Sequence, residues 1–413
     1  MAFAVWAANA FWRCMGRYVE SGRELNFCIH RGSHQIGGMA AEFATENARI
    51  IIDMGDELSL DDDFIPVPLH IAGVTDANGR CDAVLFTHYH GDHVGQLEHV
   101  HPDIPLYTGA VAKEIMCMSA EHNQPENHAL RNRLAGIRTF ADGEKLKFGD
   151  IVVTPLMADH SACDSYMFLI EAAGRRVLYT GDFRLHGIHK GMMERLIAGA
   201  GKIDVFVTEG TTISRAVGNF TSEEELAKRI PGYLQRYKYV FVLCATTNVD
   251  RIDAFANAVP EGKYCVSDKY QQSLVEVVSR HQGKKMPKLL YYGDNILPDI
   301  QKLGGLIFVR ANPRFERIIK KFDRSRSILL YSMWDGYINK PGSRLPEFLS
   351  LAGTWEKLHT SGHASAEDIR HVAEKLSPEV IIPMHTDAPQ RMKQLFPAGN
   401  VAVLQDEEWF SCM

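Results

Sequence analysis

The stretch Thr87-His88-Tyr89-His90-Gly91-Asp92-His93-Val94-Gly95 follows directly on the apolar run Ala83-Val84-Leu85-Phe86. A short apolar run bounded by polar residues reads as a buried strand, and glycines beyond it let the chain turn tightly. Three imidazoles and a carboxylate crowd the span from His88 to His93. Imidazole is the commonest protein ligand for zinc, and carboxylate oxygen suits it too. His88 and His90 are two apart, so an extended backbone turns both to one side. Asp92 and His93 follow the Gly91 turn and reach a second point nearby. The fold must therefore leave the end of this strand open, with room for two adjoining metal sites. The competing reading is a loop of unrelated surface histidines, and the H-x-H-x-D-H spacing behind a strand argues against it.

Two such sites need ligands from elsewhere. His160 lies in Ala158-Asp159-His160-Ser161, after an apolar run at 151–156. Asp182 lies in Thr180-Gly181-Asp182-Phe183-Arg184, after Val177-Leu178-Tyr179, and His385 ends Ile381-Ile382-Pro383-Met384-His385. Each stands where an apolar run meets a polar loop, the place where sites collect in layered α/β proteins. Singly, each reads as a surface or hydrogen-bonded histidine or aspartate; together they complete a ligand set.

The surrounding pattern is α/β. Strands are expected at 27–29, 40–43, 49–53, 82–87, 151–154, 166–170, 177–180 and 203–208, with a helix over 110–121. After residue 211 the texture changes. Ser222-Glu223-Glu224-Glu225 carries a capping-box signature for a helix start. Apolar runs at 240–243, 264–266, 289–292, 306–309 and 328–331 then alternate with helical segments, which predicts a parallel sheet wrapped by helices. A second polar cluster, Ser361-Gly362-His363 and Met384-His385, follows beyond residue 340. One domain interrupted by another is the simplest arrangement. The expected divisions are an N-terminal extension over 1–25, a first domain over 26–210, an inserted domain over 211–340, and completion of the first domain over 341–413.

These motifs, in this order, resemble the metallo-β-lactamase superfamily and its nuclease branch, the β-CASP family that includes ribonuclease J. The resemblance covers residues 26 to 390 or so. It implies an αββα sandwich with an inserted β-CASP α/β domain. By resemblance His88, His90 and His160 hold one zinc, Asp92, His93 and His385 hold the other, and Asp182 bridges them. Glu209 in Thr208-Glu209-Gly210-Thr211-Thr212 matches the branch's acidic position. His363 in His359-Thr360-Ser361-Gly362-His363-Ala364-Ser365 matches its second motif and His385 its third. Histidine at that third position goes with RNA-processing members of the branch, so the resemblance points to RNA rather than DNA. The chain departs from ribonuclease J in having only a short tail after His385. It also departs in Tyr331-Ser332-Met333-Trp334-Asp335-Gly336-Tyr337, which stands where those enzymes have a glycine-rich substrate loop. Trp334 and Tyr337 either stack bases or fill the hinge between domains.

The implied reaction is hydrolysis of single-stranded RNA, exo- or endonucleolytic. Two zinc ions, or manganese in their place, would share a hydroxide formed at neutral pH and neutralise a phosphate oxygen. His363 is the candidate proton donor to the leaving oxygen, with Glu209 fixing its tautomer. Its simpler reading is phosphate binding without proton transfer. Asp53 is expected to orient a histidine from behind. Ser361, Gly362 and Arg184 are the candidate substrate-binding residues. The alternatives are a hydrolase of small esters, lactones or cyclic nucleotides, which leaves the inserted block and His363 unexplained, a DNA nuclease, or a scaffold protein that has lost activity.

Charge and composition set limits. The net charge of −6 means that affinity for nucleic acid must come from a local patch and bound metal. Arg314, Arg317, Lys320, Lys321 and Arg324, interleaved with Phe315 and Phe322, form either a groove wall or a solvated helix face with its aromatics turned inward. The eight cysteines include no C-x-x-C pair, which favours free thiols in a reducing, cytoplasmic setting. The N-terminal Met1–Ala8 is apolar without a basic start and reads as a packing extension, with Met15 as an alternative start. No run approaches the ~20 apolar residues that span a bilayer. A homodimer is compatible with the sequence; no membrane partner is expected.

Overall fold

The computed structural model describes residues 24–59, 64–215, 220–293 and 295–412. The extension expected over 1–25 lies outside the described residues, except for Glu24 and Leu25.

Three sheets organise the chain. The first contains β1 (Asn26–Arg31), β2 (Ala40–Ala44), β3 (Arg49–Ile52), β4 (Ala83–Leu85), β5 (Leu106–Gly109) and β6 (Arg138–Phe140). It is antiparallel from β1 to β3 and parallel from β3 onward. The second contains β7 (Leu146–Phe148), β8 (Ile151–Ala158), β9 (Ser165–Ala172), β10 (Arg175–Tyr179) and β11 (Val205–Glu209). The third is wholly parallel and contains β12 (Tyr239–Cys244), β13 (Tyr264–Ser267), β14 (Leu290–Tyr291), β15 (Gly305–Val309), β16 (Ser327–Ser332) and β17 (Trp355–Lys357). The chain then returns. β18 (Val380–Met384) joins the second sheet beside β11, and β19 (Trp409–Ser411) joins the first beside β1.

Alternation along the strands decides the layers. Ile50 and Ile52 of β3, with Ala83 and Leu85 of β4, face Phe168, Ile170, Val177, Tyr179, Val207 and Ile382 of the second sheet in one buried core. Ile51 and Val84 point the other way, under the helix Ala110–Asn123. On the far side of the second sheet, Leu169, Leu178, Phe206 and Ile381 pack on the helices Lys190–Gly199 and Ala366–Leu376. Helix, sheet, sheet, helix is the expected αββα sandwich, and the third sheet is the inserted α/β layer. Its central strands β12, β15 and β16 are buried on both faces. Val240, Val242, Leu306 and Phe308 join the core under Ala110–Asn123, while Phe241, Ile307, Leu329 and Tyr331 face Pro313–Ile319 and Leu345–Ser350. Ser222 caps the helix Glu223–Arg236 in a capping box with Glu225, as its sequence predicts.

Phe315 and Phe322 are buried in the core beneath the third sheet, while Arg314, Arg317, Lys320 and Arg324 are exposed. This matches the solvated-face reading of that basic stretch. The seven described cysteines are free, and among the described residues no helix is long and apolar enough to cross a membrane.

Candidate metal centre

The chemistry-bearing residues converge at strand ends. Asp53 follows β3 and His88 follows β4; His160 follows β8, Asp182 follows β10, Glu209 ends β11 and His385 follows β18. Carboxyl ends of parallel strands are where open α/β sheets leave space for ligands. Asp53 and His385 hold left-handed backbone angles, φ 62° and 50°, which non-glycine residues adopt only where surrounding contacts impose them. Gly181 shares that region at φ +52°, and a Cβ there would lie 2.9 Å from Thr87, so glycine lets the Asp182 loop close on the His88 loop.

Four overlapping groups of ligand atoms form among the described residues, each with all its members within 4.8 Å of one another: His88, His90 and His160; Asp92, His93 and His385; His88, His93 and Asp182; and Asp182, Glu209, His363 and His385. His160 Nε2 lies 3.2 Å from His90 Nδ1, and His385 Nε2 lies 3.2 Å from Asp92 Oδ2. Asp182 Oδ2 is central, 3.3 Å from His93 Nε2 and 3.7 Å from the Nε2 atoms of His88 and His160.

Behind this layer, neighbouring groups fix the imidazoles. His93 Nδ1 donates to Asp53 Oδ2 at 2.9 Å. The Thr87 hydroxyl accepts from His88 Nδ1 and donates to Asp53. His160 Nδ1 donates to the Gly362 carbonyl at 2.6 Å, and His385 Nδ1 donates to the Thr211 hydroxyl at 2.7 Å. With the Nδ1 protons so committed, the Nε2 lone pairs of these four rings turn inward. His88 Nε2, His93 Nε2 and both oxygens of Asp182 are buried with no hydrogen-bond partner. Orphaned atoms of this kind are rare in folded interiors. Nitrogen and carboxylate donors crowded together fit a divalent cation such as zinc.

The electrostatics agree for three of the imidazoles, whereas for His93 burial is outweighed by Asp182 and Asp53, which raise it well above the ordinary histidine range. Burial, reinforced by neighbouring imidazoles, pushes His88 and His160 well below the ordinary histidine range. Burial likewise brings His90 down to about 4. These rings are neutral at physiological pH, the form that ligates metal. Burial would raise Asp182, but His385, His93 and His363 outweigh it and hold the carboxyl well below its usual range. Burial raises Asp53 despite its bond to His93.

His363 stands beside this cluster, its Nδ1 3.1 Å from Glu209 Oε2 and 3.5 Å from Asp182 Oδ2. Burial works against its charge, but Glu209 and Asp182 prevail and hold it at about 9, so the ring carries a proton at neutral pH. Ser361 lies on the same loop and its hydroxyl accepts from the His363 N–H. Gly362 packs closely on Ser161, where a Cβ would meet Oγ at 2.4 Å, and its carbonyl is committed to His160.

Arg184 corrects one expectation. The sequence suggests a substrate-binding residue, yet the side chain is wholly buried, with Nε on Asp159 at 2.8 Å and Nη1 on Glu223 at 2.6 Å. Glu223 also accepts from Arg251 Nε at 3.0 Å, and Arg251 holds the carbonyls of Ser332 and Thr360. This chain of charges joins the metal loops to the third sheet.

Sequence reasoning missed Thr211 and the Gly362 carbonyl as the groups that aim His385 and His160. A threonine two residues after Glu209 was visible, but its contact across 174 residues was not.

Comparison with known proteins agrees with this picture. A beta-lactamase superfamily domain matches residues 49–228. The chain is 24% identical over 239 residues to Endoribonuclease YSH1 of Gibberella zeae, covering 53% of this chain and 28% of that protein. It is 22% identical over 346 residues to Ribonuclease J of Thermus thermophilus, covering 76% of this chain and 59% of that protein. It is 28% identical over 232 residues to Protein artemis of Gallus gallus, covering 47% of this chain and 32% of that protein. The chain thus spans less than two thirds of the length of each of these relatives. A protein of unknown function from Enterococcus faecalis V583, known from its crystal structure, superimposes with a TM-score of 0.77 at 19% identity, covering 94% of this chain and all of that one. The αββα sandwich with an inserted α/β layer is thereby shared with a solved structure.

Proposed function

We propose that this chain, which carries a metallo-β-lactamase superfamily domain and resembles the β-CASP, ribonuclease J-like branch, is a metal-dependent phosphodiesterase acting on single-stranded RNA. The observation that carries the reading is the placement of His363, braced by Glu209 and set beside Asp182. A hydrolase of small esters leaves the inserted sheet beside the site without a use.

Two divalent cations, zinc or manganese, would be held by His88, His90 and His160 and by Asp92, His93 and His385, with Asp182 between them. When bound they supply Lewis acidity, making water a nucleophile at neutral pH and neutralising charge on the phosphate. The remaining work falls to the chain. Asp53, Thr87, Thr211 and the Gly362 carbonyl hold the ligating rings in the tautomer that leaves the inward nitrogens free. Glu209 accepts from His363 Nδ1, so the proton on His363 Nε2 is available to the departing ribose oxygen. Ser361 and the backbone at Gly362 flank the phosphate.

The sequence suggests an inserted domain over 211–340. We take the inserted domain to run from about 211 to beyond β17, because Leu330 and Tyr331 of β16 pair with Glu356 and Lys357. Free thiols fit a cytoplasmic setting.

The test is digestion of single-stranded RNAs carrying a 5′-tri- or monophosphate, with single-stranded DNA and a small ester alongside, with zinc or manganese or with chelator. Metal-dependent RNA products are expected, and His363→Ala should lower the rate about 10²–10⁴-fold. RNA left intact with both metals overturns the reading.

A further inference from the structure

Trp334 and Tyr337 are exposed, at 43% and 44%, although large aromatics are more often covered. They follow β16, and their rings meet edge to face, 5.6 Å apart and 82° inclined. This arrangement is built rather than loose. The Trp334 indole lies across the Gly336 backbone, where a Cβ would fall 2.2 Å from the ring. The buried Tyr331 hydroxyl donates to the Trp334 carbonyl at 2.7 Å, and the Ser343 hydroxyl donates to the Tyr337 carbonyl at 2.8 Å. Lys357 and Asp335 form an ion pair on the same turn.

The pair sits beside the metal centre. Arg251 holds the Ser332 carbonyl at the end of β16 and the Thr360 carbonyl, each at 3.1 Å, so the start of the Trp334 turn lies against the His363 loop. The Arg215 guanidinium lies 5.9 Å from the Trp334 ring centre, and Arg215 is four residues past Thr211, which touches His385. That short span limits its Cα to about 14 Å from Thr211. Burial raises the Tyr337 phenol and the charge of Asp92 raises it further, consistent with a position near that ligand.

We propose that Trp334 and Tyr337, with Arg215, form a stacking step that takes the bases of single-stranded RNA next to the scissile phosphate. This rests on the ribonuclease reading and sharpens it. Every base has a π-face, so recognition of this kind tolerates any sequence but demands an unpaired strand, because the bases of a duplex are already stacked. Arg215 adds a cation to the ring face and faces the backbone phosphates.

The test compares binding, by fluorescence anisotropy, of a single-stranded phosphorothioate oligoribonucleotide and of an abasic oligonucleotide with the same backbone. The wild-type chain should prefer the strand with bases. Trp334→Ala and Tyr337→Ala should each weaken that strand about tenfold or more and leave the abasic strand unchanged, while Trp334→Phe keeps most of the preference. Alanine variants that retain the full preference for bases overturn the proposal. So does equal weakening of both oligonucleotides, which marks a structural defect. A wild-type chain that binds and cuts RNA while ignoring base removal overturns the stacking step and leaves the ribonuclease reading standing. A wild-type chain that neither binds nor cuts RNA overturns the ribonuclease reading itself.

Discussion

Asp182 and Arg184 stand two residues apart, both buried and both ionic, in opposite circumstances. The two Asp182 oxygens have no hydrogen-bond partner and face His88 and His93, whose Nε2 atoms are likewise orphaned. Arg184 belongs to an alternating series, Asp159–Arg184–Glu223–Arg251, in which each charge meets its opposite. Burying an ion is costly unless a partner compensates it. The Arg184 series is therefore compensated charge for charge, with Arg184 Nη2 alone left without a hydrogen-bond partner, and serves the joint between the metal loops and the third sheet. The Asp182 cluster has a polar surplus directed at one point, which marks a place kept for a cation. Pairing, rather than burial or charge, separates structural from reactive groups here.

The comparison breaks first at Glu223. Glu223→Gln leaves Arg184 and Arg251 buried with their shared carboxylate gone, a loss of about 3–5 kcal/mol of stability. Urea denaturation reads it, and metal content per folded chain should stay at the wild-type level. Metal lost at unchanged stability would mean that the series belongs to the site after all. The series also has an acid limit. Burial opposes ionisation of Glu223, but Arg251 and Arg184 hold it down at about 2, against an ordinary 4.5. A depressed carboxylate adds stability that is fully present above about 4.5 and is lost as pH falls towards 2.

Asp182→Asn should behave in the opposite way. Turnover should fall about 10²–10³-fold while the chain remains folded, as kinetics and thermal melting together would report. Wild-type rates in that variant would deny Asp182 its central role.

A smaller effect sharpens the contrast from a third place. His30 is bonded through both ring nitrogens, to Glu42 at 2.8 Å and to Glu407 at 3.0 Å. Burial opposes its charge, but the two carboxylates raise it to about 9. Its contribution is complete below about 6.5 and is lost as pH rises through 9, so a His30→Gln variant should show a flatter stability profile in that window. An unchanged profile would mean that the two carboxylates add nothing there.

How much could be read beforehand follows the range of each interaction. The His88–His93 motif is contiguous, and the apolar runs at 177–180 and 381–384 advertise strands, so Asp182 and His385 could be placed at strand ends. The all-parallel third sheet was foreshadowed by its long apolar strands. β6, β7 and β17 were not, because Arg138-Thr139-Phe140, Leu146-Lys147-Phe148 and Trp355-Glu356-Lys357 are three-residue edge segments interrupted by charged side chains, whose only strand signal is their pairing. Arg184 misled for a related reason. A lone arginine after a metal ligand looks like a phosphate binder until Glu223, 39 residues on, is seen to meet it.

The return of the chain has a consequence for synthesis. β12 to β17 follow one another and pair among themselves, whereas β18 adds the last ligand, His385, and β19 pairs Ser411 with Asn26. Domains fold largely in the order in which they leave the ribosome, and contacts distant in sequence close last. The candidate cation site is thus completed late, and a nascent polypeptide stopping short of β18 would carry the third sheet while lacking His385. Reactivity arrives only with a finished molecule.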